Sequence, residues 1–380
     1  MSRRAGACPV PGSFLYGPIA YEGALLENQI SRIIEEHYDI GTVSDVYEIF
    51  GGFTNRVFGV RTREKNDTYF VRRYRKGVIL EEIQFEHGLI NHAIGKGLTI
   101  CAGVVPARNG ETMVRPADSN RVFAVYEYLR GEDKYTWDNT DLTDSEFRSA
   151  AGVLAEFHNA VRDYEPGGFH RKEQPITAFL PVITGNLIRL GQKNDKDGFQ
   201  SYYRSNLKAI LRVIERNPIA PGEIKGLPVI PTHYDYHPGN LKWDDDVVAG
   251  LFDFDWSKMD LRLFDLAMAL VYFCSRWGGH GDGALRMDKF SLFLGSYNQR
   301  LQEAKGLDPL GDNEKRLLPK MLTIANIYIV HWEVSDYYGA VDADTDQYLV
   351  FLKHNVRLMY WLETHRSIIS DAIGRTEIVT

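Results

Sequence analysis

The densest chemical signal in the chain lies between His233 and Asp255. His233-Tyr234-Asp235-Tyr236-His237-Pro238-Gly239-Asn240 sets a carboxylate and a side-chain amide five positions apart. The apolar run Val247–Phe252 then leads directly to Asp253, with Asp255 two residues on. Phosphoryl transfer asks little covalent work of a protein. It needs a carboxylate that orients the attacking hydroxyl and accepts its proton, and hard oxygens that hold magnesium against the phosphates. Asp235 suits the first task, and Asn240 with Asp253 the second. A solvated polar loop with this spacing by accident fits poorly with an aspartate delivered by a strand that reads as buried.

The elements that must position these residues fall into two textures. After a Pro- and Gly-rich start, Leu25, Leu26, Ile30, Ile33 and Ile34 recur at helical spacing. From Val46 to about Val125 the pattern is that of strands: Val46–Phe50, Arg56–Arg61, Tyr69–Tyr74 and Arg121–Tyr128, interrupted by a helix over 80–94. Beyond Gly131 the chain reads as long helices over 145–161, 200–216, 264–276, 289–304, 316–338 and 346–365, with a β-rich insert over 229–256. The expected organisation is an irregular arm (1–27), a nucleotide-binding lobe (28–128) and a catalytic and acceptor-binding lobe (129–380). The fold class is α+β, a small β-rich lobe followed by a larger helical one. Between the first two strands, Gly51, Gly52, Phe53, Thr54 and Asn55 form a turn whose backbone amides could drape over phosphates. It is neither a Walker A motif nor G-x-G-x-x-G, and a bare Gly-Gly turn is common.

Bulk properties exclude several classes. The chain has 380 residues, 44% hydrophobic and 25% charged, enough for two or three folded units. A net charge of −7 argues against nucleic-acid binding through a basic surface. Three scattered cysteines, Cys8, Cys101 and Cys274, suggest neither a disulfide framework nor a zinc site. Arg3 and Arg4 are not followed by an apolar stretch of secretory type, and no window is long and apolar enough for a membrane span. The expected setting is cytoplasmic, with no nucleic-acid or membrane partner; a homodimer stays open.

His233–Asn240, Gly250-Leu251-Phe252-Asp253-Phe254 and Phe264-Asp265-Leu266-Ala267 together resemble the small-molecule kinases of the aminoglycoside phosphotransferase, choline kinase and type II homoserine kinase group. The resemblance runs over residues 45 to 275 and is sharper in its C-terminal half. It implies a two-lobed protein-kinase-like fold, ATP and Mg2+ as cofactors, Asp235 as base, Asn240 and Asp253 as metal ligands, and a structural Asp265. The Asp-to-Asn step is that of the kinase catalytic loop. By the same resemblance Arg72 would meet the phosphates, with Arg73 the alternative if the register slips by one. Glu86 would pair with that cation, or Glu82 one turn earlier. Tyr126–Gly131 resembles the hinge, so the Glu127 carbonyl and Leu129 amide would meet adenine. His233 reads as structural, and His237 carries no assigned chemistry. Tyr234 stands where protein kinases have an arginine, no activation loop or Ala-Pro-Glu follows, and Asp255 replaces the glycine of Asp-Phe-Gly. These departures argue against a protein substrate. Asp255 would touch a second metal or cap a turn.

The acceptor is expected to be a small molecule with a hydroxyl. Tyr272, Phe273 and Trp277, then Trp332, Glu333, Asp336, Tyr337 and Tyr338, combine aromatic faces with carboxylates, which suits an amino alcohol, a choline-like ammonium or an aminosugar. Homoserine would also need a cation for its carboxylate, and Arg276 could serve. Aromatic residues at helical spacing are also common core. A neutral-sugar kinase and a catalytically silent kinase-fold binding protein are the alternative readings.

Overall fold

The computed structural model describes residues 18–49, 55–64, 67–193, 197–340 and 343–375. The chain forms two compact units, one running to Val78 and including Val104–Tyr128, the other comprising Ile79–Gly103 and everything from Leu129.

The first unit contains helix α1 (Pro18–His37) and strands β1 (Val43–Ile49), β2 (Arg56–Thr62) and β3 (Thr68–Arg73). After helix α2 (Leu80–Gly95), which belongs to the second unit, β4 (Val104–Val105) and β5 (Phe123–Glu127) complete an antiparallel sheet in the order β1-β2-β3-β5-β4. Side chains alternate between the faces of a strand. Phe58, Val60, Val71, Phe123 and Val125 therefore share one face, and Leu26, Ile30, Ile33 and Ile34 of α1 bury it. That alternation puts Arg73 on the α1 side and Arg72 on the opposite face with Phe70 and Tyr126. There the Arg72 guanidinium lies 5.3 Å from the Tyr126 ring.

The second unit is mostly helical: α3 (Asp144–Val161), α4 (Ile176–Gly191), α5 (Gly198–Arg216), the short α6 (Pro221–Ile224), α7 (Arg262–Cys274), α8 (Met287–Ala304), α9 (Asp312–Gly339), α10 (Thr345–Thr364) and α11 (Arg366–Arg375). Two small antiparallel pairs interrupt it. Strand β6 (Val229–Thr232) pairs with β9 (Lys258–Leu261), and β7 (Leu241–Asp244) with β8 (Val247–Leu251). α3 starts on a capping box, with Thr143 and Glu146 bonding each other's backbone N–H. α2 is fastened to the end of α3 by His92 and Lys96, which reach the Asp163 carboxylate at 2.9 and 2.5 Å. This explains why α2, expected with the sheet, groups with the helices. α7 is apolar nearly all round and buried accordingly. Its first residue, Arg262, makes a two-pronged contact with Glu314 at 2.7 and 2.6 Å.

Three elements depart from expectation. α1 begins at Pro18, inside the stretch read as an irregular arm to residue 27; proline is well suited to a first helical turn. α4 was not expected, and it contains the local breakers Pro181 and Gly185. It forms because Ile176, Leu180, Ile183, Leu187 and Leu190 make one buried stripe. Its first free N–H, at Ile176, is capped by the distant Asp260 at 2.7 Å. α11 was also not expected; Ile369 and Ile373, one turn apart, bury it. No described helix is long and apolar enough to cross a membrane. Cys101 and Cys274 are buried free thiols, both pushed up to about 12 by burial and so held as thiols.

Candidate active site

The loop that carries Asp235 leaves β6 at Thr232 and is fixed first by Asp265, in the opening turn of α7. One carboxylate oxygen accepts the Tyr234 N–H at 2.7 Å and the other the His233 N–H at 2.8 Å. The second oxygen also meets His158 Nε2 at 2.9 Å, while His158 Nδ1 lies 2.7 Å from the Tyr297 hydroxyl. This clamp holds Tyr234 at φ +70°, a left-handed conformation that costs a bulky residue about 1–3 kcal/mol. The side chain is held as firmly: its hydroxyl donates to Asp260 Oδ2 at 3.0 Å, and Lys258 Nζ sits 3.5 Å from its ring centre. Burial pushes Asp260 up to about 6 and Lys258 down to about 8.

The kink presents Asp235. Its Oδ2 accepts from Asn240 Nδ2 at 3.2 Å, and the same amide donates to the Asp235 carbonyl at 2.8 Å. Oδ1 lies 3.4 Å from the Tyr272 hydroxyl. His237 Nε2 lies 3.6 Å from Oδ2, and its Nδ1 accepts the Gly239 N–H at 3.1 Å. With Nδ1 an acceptor, the ring proton is on Nε2, facing the aspartate. Burial pushes the Asp235 carboxyl upward, but His237, His233 and the Asn240 amide outweigh it and hold the group below the ordinary carboxylate value. Asp235 is therefore ionised at neutral pH. Gly239 is small for a reason: a Cβ there would come within 3.2 Å of the Trp137 backbone nitrogen and 3.1 Å of the His237 ring.

Asp253 is brought to this loop by the β7–β8 hairpin. The Phe252 N–H donates to the Asn240 carbonyl at 3.2 Å, and His233 Nε2–H donates to the Phe252 carbonyl at 3.0 Å. The His233 ring thus secures the peptide next to Asp253, the structural role its position suggested. Asp253 itself has φ +63°, a second strained residue in the same constellation. Because Asn240 spends its amide nitrogen on Asp235, its carbonyl oxygen is the atom left to meet a metal. With the Asp253 carboxylate this makes a hard-oxygen pair, a donor set that fits a magnesium ion also bound by phosphates.

The acceptor candidates separate into two groups. Arg171 donates to the Asp255 carbonyl and stacks on Trp256 at 4.2 Å, and Trp256 meets Trp332 at 4.4 Å. Trp277 stacks flat on His354 at 3.5 Å and meets Trp137 edge-on at 5.0 Å. Glu333 is only 9% exposed. Its Oε1 accepts from Asn355 Nδ2 at 2.5 Å, and its Oε2 has no partner among the described residues. Burial pushes this carboxyl up to about 8, so it is mostly protonated at neutral pH, unlike the carboxylate expected from the sequence. Asp336, one turn on, is exposed and accepts from the Tyr348 hydroxyl.

The remaining sequence candidates are spread over both units. Arg72 is on β3 in the first, and Glu86 is buried on α2 in the second. Glu82 accepts from the Lys172 N–H at 3.0 Å. Glu127 is exposed at the end of β5, Leu129 is buried, and Asn55 Oδ1 accepts the Arg75 N–H at 3.0 Å. Gly51, Gly52 and Thr54 lie outside the described residues. Sequence reasoning gave no role to His237, Trp137 or Arg171. The first stands two residues after Asp235 and was readable there; the others come from distant loops with no local signal.

Homoserine kinase of Afipia carboxidovorans is 25% identical over 348 residues, spanning 90% of this chain and 94% of that protein. Homoserine kinase of Parvibaculum lavamentivorans is 26% identical over 263 residues, 69% of this chain and 73% of that one. Among solved structures, a spectinomycin phosphotransferase in complex with ADP and spectinomycin superposes with a TM-score of 0.63 at 12% identity, covering 89% of this chain and 98% of its own. A microcompartment-associated aminopropanol kinase reaches 0.62 at 17% identity over 90% and 99%. Choline kinase from Cryptosporidium parvum reaches 0.59 at 15% over 91% and 97%. The fold is therefore that of the protein-kinase-like small-molecule kinases. Residues 45–300, more than half of the chain and including the whole Asp235, Asn240 and Asp253 constellation, match the phosphotransferase enzyme family, and the chain belongs to that family.

Proposed function

We propose that the protein transfers the γ-phosphoryl group of ATP, held with Mg2+, to the hydroxyl of a small amine-bearing acceptor such as homoserine or an amino alcohol. The observation that carries this reading is the ionised Asp235, fixed between Asn240, His237 and Tyr272 on a loop clamped by Asp265. A carboxylate so held orients the acceptor hydroxyl toward the phosphorus and takes its proton as the O–P bond forms. When bound, the metal neutralises phosphate charge, and Asn240 Oδ1 and Asp253 would be its protein ligands. Arg72 would meet the phosphates, Glu86 would belong to the nucleotide side, and Gly51, Gly52, Thr54 and Asn55 would supply backbone amides. The Glu127 carbonyl and Leu129 amide would take the adenine. Trp277, Trp332, Glu333 and Asp336 belong to the acceptor side, and Asp255 to its border with the metal. The reading places the protein in the cytoplasm, where ATP is available. Homoserine is favoured by the names of the relatives over nearly the whole chain, amino alcohols by the aminopropanol kinase and choline kinase folds.

The test is ADP release with Mg-ATP across L-homoserine, ethanolamine, 1-amino-2-propanol, an aminosugar and neutral sugars, with Asp235→Asn as control. Acceptor-dependent release that vanishes in the variant supports the proposal. Release unchanged in the variant would exclude Asp235 as the base.

A further inference from the structure

We propose that Glu333 is the anchor for the acceptor's amine, and that it selects amines able to donate a hydrogen bond over quaternary ammonium groups. This rests on the kinase reading above and goes beyond it by naming the residue and the chemical discrimination.

The argument begins with an imbalance. Asn326 Nδ2 donates to Asn355 Oδ1 at 2.9 Å, and Asn355 Nδ2 donates to Glu333 Oε1 at 2.5 Å. This chain of amides fixes the carboxyl plane and satisfies one oxygen. The other, Oε2, is buried and has no donor among the described residues. A buried acceptor left without a donor costs stability, and a carboxylate costs more than an amide. Folding does not call for Glu333, since a glutamine would also accept from Asn355 without risking a buried charge. A ligand that brings a donor to Oε2 removes the imbalance.

The surroundings indicate which donor. Burial raises the Glu333 carboxyl and the Asn355 bond opposes it, and the Glu333 charge adds to burial in raising the Tyr272 hydroxyl on α7 and the Tyr348 hydroxyl on α10. With no protein cation among these influences, the carboxyl rises to about 8. A cation entering this environment is drawn to it and ionises it. Tyr272 also ties the residue to the reaction centre, because its hydroxyl lies 3.4 Å from Asp235 Oδ1. Trp332, the residue before Glu333 on α9, packs on Trp256 at 4.4 Å, and Trp256 directly follows Asp255, so this turn of α9 borders the loop that carries Asp253.

Primary and secondary ammonium groups carry N–H bonds to give Oε2. A quaternary ammonium has none, so Oε2 would stay unpaired while its solvent is stripped away. Sites built around a hydrogen bond reject analogues that lack it far better than apolar pockets reject a methyl group. The proton balance is definite. Near pH 7 an R–NH3+ acceptor meets a protonated carboxyl, the O–H bond breaks, one proton leaves to solvent, and an ammonium–carboxylate pair remains.

Steady-state ADP release should be measured for wild type and Glu333→Gln with L-homoserine, ethanolamine, choline and glycerol. Alongside it, calorimetry of ethanolamine binding should be run in two buffers of different ionisation enthalpy. The expected wild-type result is a kcat/KM at least about tenfold higher for L-homoserine or ethanolamine than for choline, with proton release on binding. In Glu333→Gln the preference collapses through acceptor KM, the KM for ATP holds, and proton release disappears. A preference that survives in the variant overturns the proposal, as does a wild-type preference for choline. Turnover of glycerol alone overturns it while leaving the kinase reading intact, and no turnover with any acceptor removes both. Should Glu333→Gln fail to fold, the wild-type proton release decides: binding of ethanolamine without it overturns the proposal.

Discussion

The loop that carries Asp235 and the α9 face around Glu333 treat their carboxyl groups in opposite ways. In the loop, Asp265 holds two backbone N–H groups, Asn240 holds Asp235, His237 is fixed by Gly239, and the His233 ring holds the Phe252 carbonyl. Around Glu333 the fold leaves a bond unmade: Glu333 Oε2 has no partner among the described residues. The difference separates two kinds of demand. A base and a metal aspartate, the roles proposed for Asp235 and Asp253, need geometry set before substrate arrives, and the loop carries backbone strain at Tyr234 and Asp253. Recognising an acceptor requires groups whose bonds the ligand completes. If this contrast holds, substitutions in the loop should act on kcat and stability, and those near Glu333 on acceptor KM and on pH dependence.

The largest effect should come from Asp235→Asn. It keeps shape but removes the proton acceptor, so kcat should fall by about 10²–10⁴-fold with little change in the KM for ATP. ADP-release kinetics would show it, and near-normal turnover would break the comparison by making the best-held carboxylate merely structural. Asp253→Ala should abolish turnover as well, but by a different route. Calorimetry should find Mg-ATP binding weakened much more than binding of metal-free ATP. Equal losses would point to a collapsed hairpin instead.

The same contrast decides what could be read in the sequence. Asp235, Asn240 and Asp253 are legible because loop chemistry fixes short spacings along one strand–turn–strand segment. Spacing carries no such information for Trp137 and Arg171, which reach the region from separate loops. Helix α4 was hidden because Pro181 and Gly185 are strong local breakers, and only the tertiary burial of Leu180, Ile183 and Leu187 overrides them. Its cap, Asp260, lies far along the chain. The choice between Arg72 and Arg73 stayed open in the sequence because strand signals do not state their register; the ladder to β2 and β5 puts Arg72 on the face away from α1. For Glu333 the sequence supplied a carboxylate but not its burial, and burial reverses its charge state.

Asp265→Asn probes the loop's support rather than its chemistry. An asparagine can present only one acceptor oxygen to the two backbone N–H groups and His158, and its NH2 would oppose a donor. A loss of about 3 kcal/mol in urea unfolding is expected, with turnover reduced even where the variant is folded. A fully stable Asp265→Asn with wild-type kcat would show that the Tyr234 conformation needs no clamp.

Glu333→Gln should sharpen the other half of the comparison through stability alone. The folded-state value of about 8 lies above the ordinary 4.5. A carboxyl raised in this way contributes stability that is fully present below the unfolded value and is lost as pH rises through the folded one. Glutamine does not titrate. The melting temperature of the variant should therefore match wild type near pH 4 and exceed it increasingly toward pH 8. Adding ethanolamine should close that gap at pH 8 by binding wild type more tightly. Parallel profiles for the two proteins would mean that Glu333 is charged without a ligand and that water reaches Oε2.

Asp336→Asn should have the smallest effect, and it is the sharpest control because the sequence ranked Asp336 with Glu333. The two lie almost one helical turn apart on α9, yet Asp336 is exposed and occupied by the Tyr348 hydroxyl. An exposed carboxylate acts on a ligand through water and salt, where single ion pairs contribute about 0.2–1 kcal/mol. Acceptor KM should rise by no more than about threefold at low ionic strength, and the difference should vanish near 0.5 M salt, where charges are screened within a few ångströms. The loss in Glu333→Gln should persist at that salt, because a buried carboxyl is screened far less. Measuring both variants with ethanolamine at two salt concentrations separates attraction at the surface from recognition inside the site. An Asp336→Asn variant that loses as much as Glu333→Gln, with salt making no difference, would place the amine on the outer turn of α9 and leave the unpaired oxygen of Glu333 without a function.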